Sequence, residues 1–247
     1  MSTPMKSLRT AAEQAVGPEL ARTFESSRDS TEAKLETFPR YARRKTITRF
    51  ITLYELFKLA MPVKGSVVEC GVFRGFGLMT WAHLSAVLEP ADLTRRIYGF
   101  DSFAGFPSVS SRDANPRQAP QAGELRADSH AELSRLIELY DQDRFLGHID
   151  KVHVVKGDVC ETIPRFTAEH PHVVVSLLFM DLDLYEPTKT VLEHLVPRMP
   201  KGAILAFDQL DNPIWPGETQ AVIDAIGLRN LQLRRFDWDP YIGYAIL

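Results

Sequence analysis

Gly65-Ser66-Val67-Val68-Glu69-Cys70-Gly71-Val72-Phe73-Arg74-Gly75-Phe76-Gly77 is the stretch that decides the fold. An apolar run ending in an acid gives way to closely spaced glycines. The Leu78-Met79-Thr80-Trp81-Ala82-His83-Leu84 that follows is apolar at helical spacing. Strand, glycine turn and helix in that order let the backbone N–H groups of a doubly wound α/β sheet approach a nucleoside ligand. The glycines read GxxxGxG after an acid, not GxGxxG. A dinucleotide site also wants its ribose acid about twenty residues past the glycines. The next acid at a strand end, Asp101, lies thirty residues beyond Gly71.

Outward from this stretch, strands and helices alternate. Strands are predicted at Val67–Glu69, Arg96–Phe100, Val152–Lys156, Val173–Met180 and Ala203–Phe207, and helices at Leu78–Leu88, Ser129–Tyr140, Thr188–Leu195 and Thr219–Ile226. Such alternation argues a mostly parallel sheet with helices on both faces. Leu231–Phe236 and Tyr241–Leu247, joined through Asp237-Trp238-Asp239-Pro240, read as a terminal hairpin that adds an antiparallel strand. The expected fold is α/β, a doubly wound, mostly parallel seven-stranded sheet over residues 65–247. Residues 1–64 are expected to form a helical N-terminal cap, with a core-facing stripe over Thr46–Ala60. The basic run Arg40-Tyr41-Ala42-Arg43-Arg44-Lys45 reads as a solvated face or as an arm that holds an anionic group. Residues 108–127 lack periodicity and are expected to form a long lid or binding loop. A second loop is expected over Leu210–Glu218.

Composition narrows the partners. The 247 residues are 45% hydrophobic and 25% charged with a formal net charge of −3, ordinary for one globular domain. That balance gives no electrostatic case for nucleic acid or an anionic membrane. The longest apolar run, Val173–Met180, is too short to span a bilayer. A polar N-terminus without a secretory pattern makes a cytoplasmic address the expectation. Cys70 and Cys160 read as small buried hydrophobes. The amphipathic N-terminal segment offers a face to its own domain or to a second copy of the chain.

Ligands of open α/β sheets lie outside the carboxyl ends of the strands. There the chain offers Glu69 with the glycine turn, Asp101-Ser102, and Asp158. An acid after the second strand can accept from a ribose diol, and one after the third from an exocyclic amine. Glycine, acid, acid at successive strand ends resembles the S-adenosylmethionine site of class I methyltransferases. The resemblance runs from about Gly65 to the end of the chain. It implies that Glu69 and Gly71 hold the amino-acid end of the donor, with Gly75 and Asp181 among the other donor-binding residues. Asp101 and Ser102 would then meet the ribose, and Asp158 the adenine.

A second constellation follows. Asp181-Leu182-Asp183-Leu184-Tyr185-Glu186-Pro187-Thr188 ends the most apolar strand, and Asp208-Gln209 ends the next. Neighbouring strands lie about 4.8 Å apart, so Asp181 and Asp208 bring two negative charges together. A hard divalent cation, Mg²⁺ first, relieves that conflict. It would also lower the pKa of a coordinated hydroxyl, with Asp183 as the base. The Asp-x-Asp-x-Tyr-x-x-Thr stretch with a later strand-end Asp is similar to the macrocin O-methyltransferase family. This implies metal-dependent methylation of a sugar hydroxyl in an antibiotic pathway, with Asp181 and Asp208 as ligands, Asp183 as the base, and Gln209 as a departure that could still serve as a third ligand. Gln209 stands where that motif has a second Asp, and offers a carbonyl oxygen without charge. A neutral amide ligand also resembles the Asp-Asn pair of catechol O-methyltransferases, which leaves a catechol-type or other small-molecule acceptor open. A non-catalytic protein that binds an adenosyl ligand is the remaining alternative. The expected partner is therefore a small-molecule hydroxyl substrate, a sugar or glycoside. His148 and His153 are alternative bases, while His83, His170 and His172 read as structural or solvated.

Overall fold

A computed structural model of the chain describes residues 10–114 and 120–247. It divides into two units, residues 1–51 and 52–247. The first unit carries α1 (Ala11–Ser26), α2 (Thr31–Glu36) and the opening turns of α3 (Arg44–Ala60). Thr10 caps α1 by accepting from the Glu13 N–H, and Glu13 reaches back to the Thr10 N–H, so two orphan donors are satisfied reciprocally. Phe24 meets Tyr41 edge-on at 5.0 Å, with the Lys34 ammonium over its ring. Within the basic run, Arg40 pairs with Asp29 at 2.9 Å and lies over Tyr41.

The second unit holds the sheet. Its elements are β1 (Ser66–Cys70), α4 (Phe76–Leu88), β2 (Ile97–Asp101), α5 (His130–Asp143), β3 (Val152–Lys156) and α6 (Val159–Glu169). Then come β4 (Val175–Met180), α7 (Tyr185–Leu195), β5 (Ile204–Phe207), α8 (Pro216–Ala225), β6 (Arg234–Phe236) and β7 (Asp239–Ile246). The seven strands run β3-β2-β1-β4-β5-β7-β6. Pairings among β1 to β5 are parallel, and β7 is antiparallel to both β5 and β6. This is the mostly parallel sheet with a terminal hairpin that the sequence predicts. Strands β1, β4 and β5 are buried along their whole length, the pattern of central strands covered on both faces. Alternate residues feed two cores. Val67, Leu177, Phe179 and Ile204 join Phe57 and Trp81 on one face. Val68, Leu178, Leu205 and Phe207 join Phe100, Phe166 and Leu195 on the other.

Helix α6 is absent from the elements predicted by periodicity, because Pro164 lies inside it and reads as a breaker. Helix α7 starts at Tyr185, three residues before the predicted Thr188, since Pro187 is tolerated in a first turn. Helix α8 starts at Pro216, so Glu218 belongs to a helix and not to the expected loop. In the 108–127 loop, residues 115–119 lie outside the described residues. The neck is closed by Phe106 N–H to Glu124 O (3.0 Å) and Gly123 N–H to Phe106 O (2.9 Å). Cys70 is buried, and Cys160 is half-buried with its thiol pushed by burial to about 11.

Opposite the ligand end, Arg95 ties the second unit together. Its guanidinium, buried at 4% exposure, donates to Gly65 O (2.9 Å), Met61 O (3.0 Å), Val63 O (3.2 Å) and Ser176 Oγ (2.5 Å), and pairs with Glu89 at 3.0 Å. One side chain thus joins the chain after α3 to the starts of β1 and β4. Removing it takes the cation from the half-buried Glu89 carboxylate and a donor from several carbonyls, so Arg95→Ala is expected to cost ~3 kcal/mol in urea unfolding.

His153 sits in mid-strand opposite Tyr98, with the rings stacked at 5.3 Å. Its position removes it from the candidate bases. His148 lies exposed in the turn before β3, at the end of the sheet away from the strand carboxyl ends. Burial, and then the nearby Arg96 charge, hold the His153 imidazole below its usual 6.5. The native state therefore favours neutral His153, and that contribution, present above pH 6.5, fades as pH falls. Thermal melts should show a shallower loss of Tm between pH 7.5 and 5 for His153→Gln than for wild type.

Candidate active site

Strand order reverses between β1 and β4, where an open α/β sheet leaves a crevice. A cavity of about 320 Å³ opens there, lined among others by Gly71, Asp101, Ser102, Asp158, Asp181, Asp183 and Gln209. Seven residues singled out in separate stretches of sequence thus share one space.

Main-chain bonds position them. The sheet ladders run one residue past the strands: Gly71 N–H donates to Phe100 O (2.9 Å), Gly157 N–H to Asp101 O (2.9 Å), Asp181 N–H to Cys70 O (2.8 Å), and Asp208 N–H to Met180 O (2.9 Å). Gly71 has φ +94°, and a Cβ there would overlap the Asp181 carbonyl, so only glycine lets the two loops close. Asp181 and Asp208 follow Met180 and Phe207, which are paired neighbours on β4 and β5. The two aspartates therefore leave adjacent strand ends, as their spacing predicts.

Asp101 gathers the glycine-turn side of the cavity. Its Oδ2 accepts from Phe73 N–H at 2.7 Å and its Oδ1 from Phe103 N–H at 2.6 Å. Both partners sit in the left-handed region, at φ 52° and 56°. An ionised carboxylate has about four lone-pair sites, so acceptor capacity toward the cavity is retained. Ser102 Oγ donates to Gly105 O at 2.6 Å and shapes the loop. Asp158 is the N-cap of α6, accepting from Cys160 N–H at 2.9 Å. Glu69, Gly75 and Asp208 do not line the cavity. Glu69 is buried, with its carboxylate where a Cβ on Gly77 would stand, beneath the first turn of α4, a position its N-terminal dipole favours. Gly75, at φ +83°, caps α4 against Leu133.

Asp183 is held in an unusual turn. Leu184 N–H donates across it to Leu182 O at 2.7 Å, and Asp183 itself has φ +62°. Such a three-residue turn is rare and strained. Asp is among the few residues that tolerate it. Asp183 lines the cavity and is only 7% exposed, and the N-cap of α7 is its neighbour Leu184.

A chain of hydrogen bonds orients Gln209. Ile214 N–H donates to Asn212 Oδ1 (3.0 Å), Asn212 Nδ2 to Gln209 Oε1 (2.5 Å), and Gln209 Nε2 to Asp208 Oδ2 (3.0 Å). Below it lies Glu218, which the sequence reading placed in a loop. Glu218 is fully buried and its Oε1 accepts from Gln209 N–H at 2.9 Å. Burial, with the charges of Asp208, Asp183 and Asp181, pushes its carboxyl well above the usual range. Pro216-Gly217-Glu218, a proline at a first helical position followed by an acid, is the signal that could have revealed it.

The donor set can be tested against a cation. Among the described residues no three His, Cys, Asp or Glu side chains are grouped to hold a metal ion. Mg²⁺, however, commonly takes one or two carboxylates and keeps its waters. The aspartates leaving adjacent strand ends fit that demand, and the concentrated negative charge felt by Glu218 is what a cation relieves. Gln209, as oriented, presents its NH₂ to Asp208, while its carbonyl accepts from Asn212.

This sheet, with its glycine turn and strand-end acids, defines an α/β methyltransferase. Residues 47–238 match the Macrocin-O-methyltransferase (TylF) family. The chain belongs to that family. It is 36% identical to the calicheamicin methyltransferase CalS11, covering 100% of this chain and 98% of that one with a TM-score of 0.91. An apo structure of CalS11, described as a TDP-rhamnose 3'-O-methyltransferase of calicheamicin biosynthesis, superposes with a TM-score of 0.84 over 96% of this chain and 95% of that one. The 8-demethyl-8-(2,3-dimethoxy-alpha-L-rhamnosyl)-tetracenomycin-C 4'-O-methyltransferase of Streptomyces olivaceus is 29% identical over 151 residues, 61% of this chain. The match spans about half of that relative's length, 54%.

Because residue 71 cannot accept a Cβ without displacing the β4 loop, Gly71→Ala should weaken S-adenosylhomocysteine binding by ~10-fold or more, equivalent to ~1.4 kcal/mol. Calorimetric titration checks this.

Proposed function

We propose that the protein transfers the methyl group of S-adenosylmethionine to a hydroxyl oxygen of a deoxysugar, carried on a nucleotide or on a natural product, with Mg²⁺ assisting. The observation that carries this reading is the end-to-end likeness to CalS11. The cavity supports it, because donor-side acids and Asp183 border the same space. Phe106 and Trp215, edge to face at 5.7 Å, add an apolar wall that suits the C–H face of a sugar ring. The setting proposed is a cytoplasmic antibiotic pathway.

In this reading Asp101 and Ser102 meet the ribose and Asp158 the adenine amine. Gly71 gives room to the methionine end, with Glu69 and Gly75 fixing the turn beneath it. The acceptor oxygen attacks the methyl carbon in line with the carbon–sulfur bond. A C–O bond forms, the C–S bond breaks, and its electron pair stays on sulfur as S-adenosylhomocysteine. The hydroxyl proton passes to the carboxylate of Asp183, which borders the cavity. Mg²⁺, held by Asp181 and Asp208, would polarise the hydroxyl and lower its pKa. Gln209 steadies Asp208 through its NH₂, and would be a direct ligand only by giving up its bonds to Asp208 and Asn212.

Asp183→Asn should lower kcat by ~10²–10⁴ with S-adenosylhomocysteine affinity near wild type. Asp208→Ala and chelator treatment should both stop transfer, and Mg²⁺ should restore only the chelated wild type. Equal rates with and without chelator would remove the metal from the reading. Absence of methyl transfer to any nucleotide-linked or glycosidic deoxysugar would remove the acceptor class.

A further inference from the structure

Helix α7 begins two residues after Asp183, yet its N-cap, Leu184, supplies no side-chain bond to the N–H groups of the first turn. The missing acceptor comes from a distant segment. Asp113, at 2% exposure, accepts from Tyr185 N–H through Oδ1 at 2.6 Å. Its Oδ2 accepts from Ser110 N–H at 2.7 Å and Ser110 Oγ at 2.8 Å. Its residue lies in a short 3-10 turn, Ser111–Asp113, of the segment that follows β2.

A third segment closes on the same carboxylate. A Cβ on Gly217, at the start of α8, would overlap Asp113 Oδ1 and crowd Tyr185 N. The chain after β2, after β4 and after β5 thus converges on one buried side chain. Each of these stretches also contributes to the cavity: Phe106 and Pro107 from the first, Asp183 and Leu184 from the second, Trp215 from the third. Outside this junction lies an exposed layer, in which Arg112 pairs with Asp224 at 2.5 Å and covers the Tyr185 ring at 4.5 Å. Exposed pairs of that kind contribute little, whereas a buried carboxylate accepting three donors fixes geometry.

We infer that Asp113 is a positioning residue for the acceptor half of the site: its carboxylate pins the start of α7, and with it Asp183, to the β2 loop and to the Gly217 corner. As a statement about an acceptor, this rests on the methyl-transfer reading; as a statement about loop geometry, it does not. The donor half is held separately, by the strand ladders and Asp101, so the two halves respond differently to its loss.

The test compares wild type with Asp113→Asn, Gly217→Ala, the double variant and Arg112→Ala. Asparagine keeps the shape but cannot accept from Tyr185 and Ser110 at once. Asp113→Asn should raise the acceptor KM by ~10-fold to ~100-fold, as a displacement of about 1 Å can. S-adenosylhomocysteine affinity should stay within about twofold of wild type. Hydrogen exchange in the 184–187 segment, read at the amides of Leu184, Tyr185 and Glu186, should quicken by ~10-fold or more, the loss of one charged hydrogen bond. Gly217→Ala should do the same, the double variant should add little, and Arg112→Ala should change nothing. Unchanged exchange at 184–187, additive lesions, or donor affinity falling in step with acceptor KM would overturn the inference. If wild type methylates no hydroxyl but exchange at 184–187 still responds as stated, the functional reading fails while the junction stands.

Discussion

The structure depends on a main-chain constraint: the hydrogen-bond ladders of the parallel sheet continue one residue beyond the strands. Gly71, Gly157, Asp181 and Asp208 each donate a backbone N–H to a neighbouring strand's last or penultimate carbonyl. Loops normally gain position from their own side chains. Here the first loop residues inherit it from the sheet. The close approach of Gly71 to the Asp181 carbonyl completes the arrangement by bringing the β1 and β4 exits together where strand order reverses.

What that constraint assembles is a strongly acidic crevice. Asp101, Asp158, Asp181 and Asp183 border one cavity, and the buried Glu218 registers the charges of the last two and of Asp208. Such crowding is costly in water-poor surroundings unless positive charge answers it. The N-termini of α4, α6 and α7 follow these strand ends and supply fractional positive charge. A sulfonium ligand, itself cationic, suits the remainder. Order and charge therefore have separate sources, the ladder fixing where the carboxylates stand and the helices reducing what their proximity costs.

Much of this was legible in the sequence because it is local. Glycine after a strand-end acid, and acids after apolar runs, announce themselves by residue type and spacing, and a mostly parallel sheet follows from alternation. Asp101 and Asp158 show what spacing leaves out. Each makes protein bonds that it shares with any ligand, Asp101 to Phe73 and Phe103 and Asp158 as a helix cap. Helix α6 was obscured by Pro164, and Glu218 by a proline and glycine that read as loop but begin a helix. The orientation of Gln209 depends on Asn212 and Ile214, and no pattern at position 209 contains it. Asp113 was illegible for a different reason. It lies in a stretch lacking any period, and its partner, Tyr185, is seventy-two residues away.

The most direct measurement is a calorimetric titration with S-adenosylhomocysteine, made on wild type and on Asp101→Ala. One site per chain is expected in wild type and its loss in the variant, since that carboxylate both holds the glycine turn and borders the cavity. Binding of equal strength in the two proteins, or no binding to wild type, would contradict that expectation.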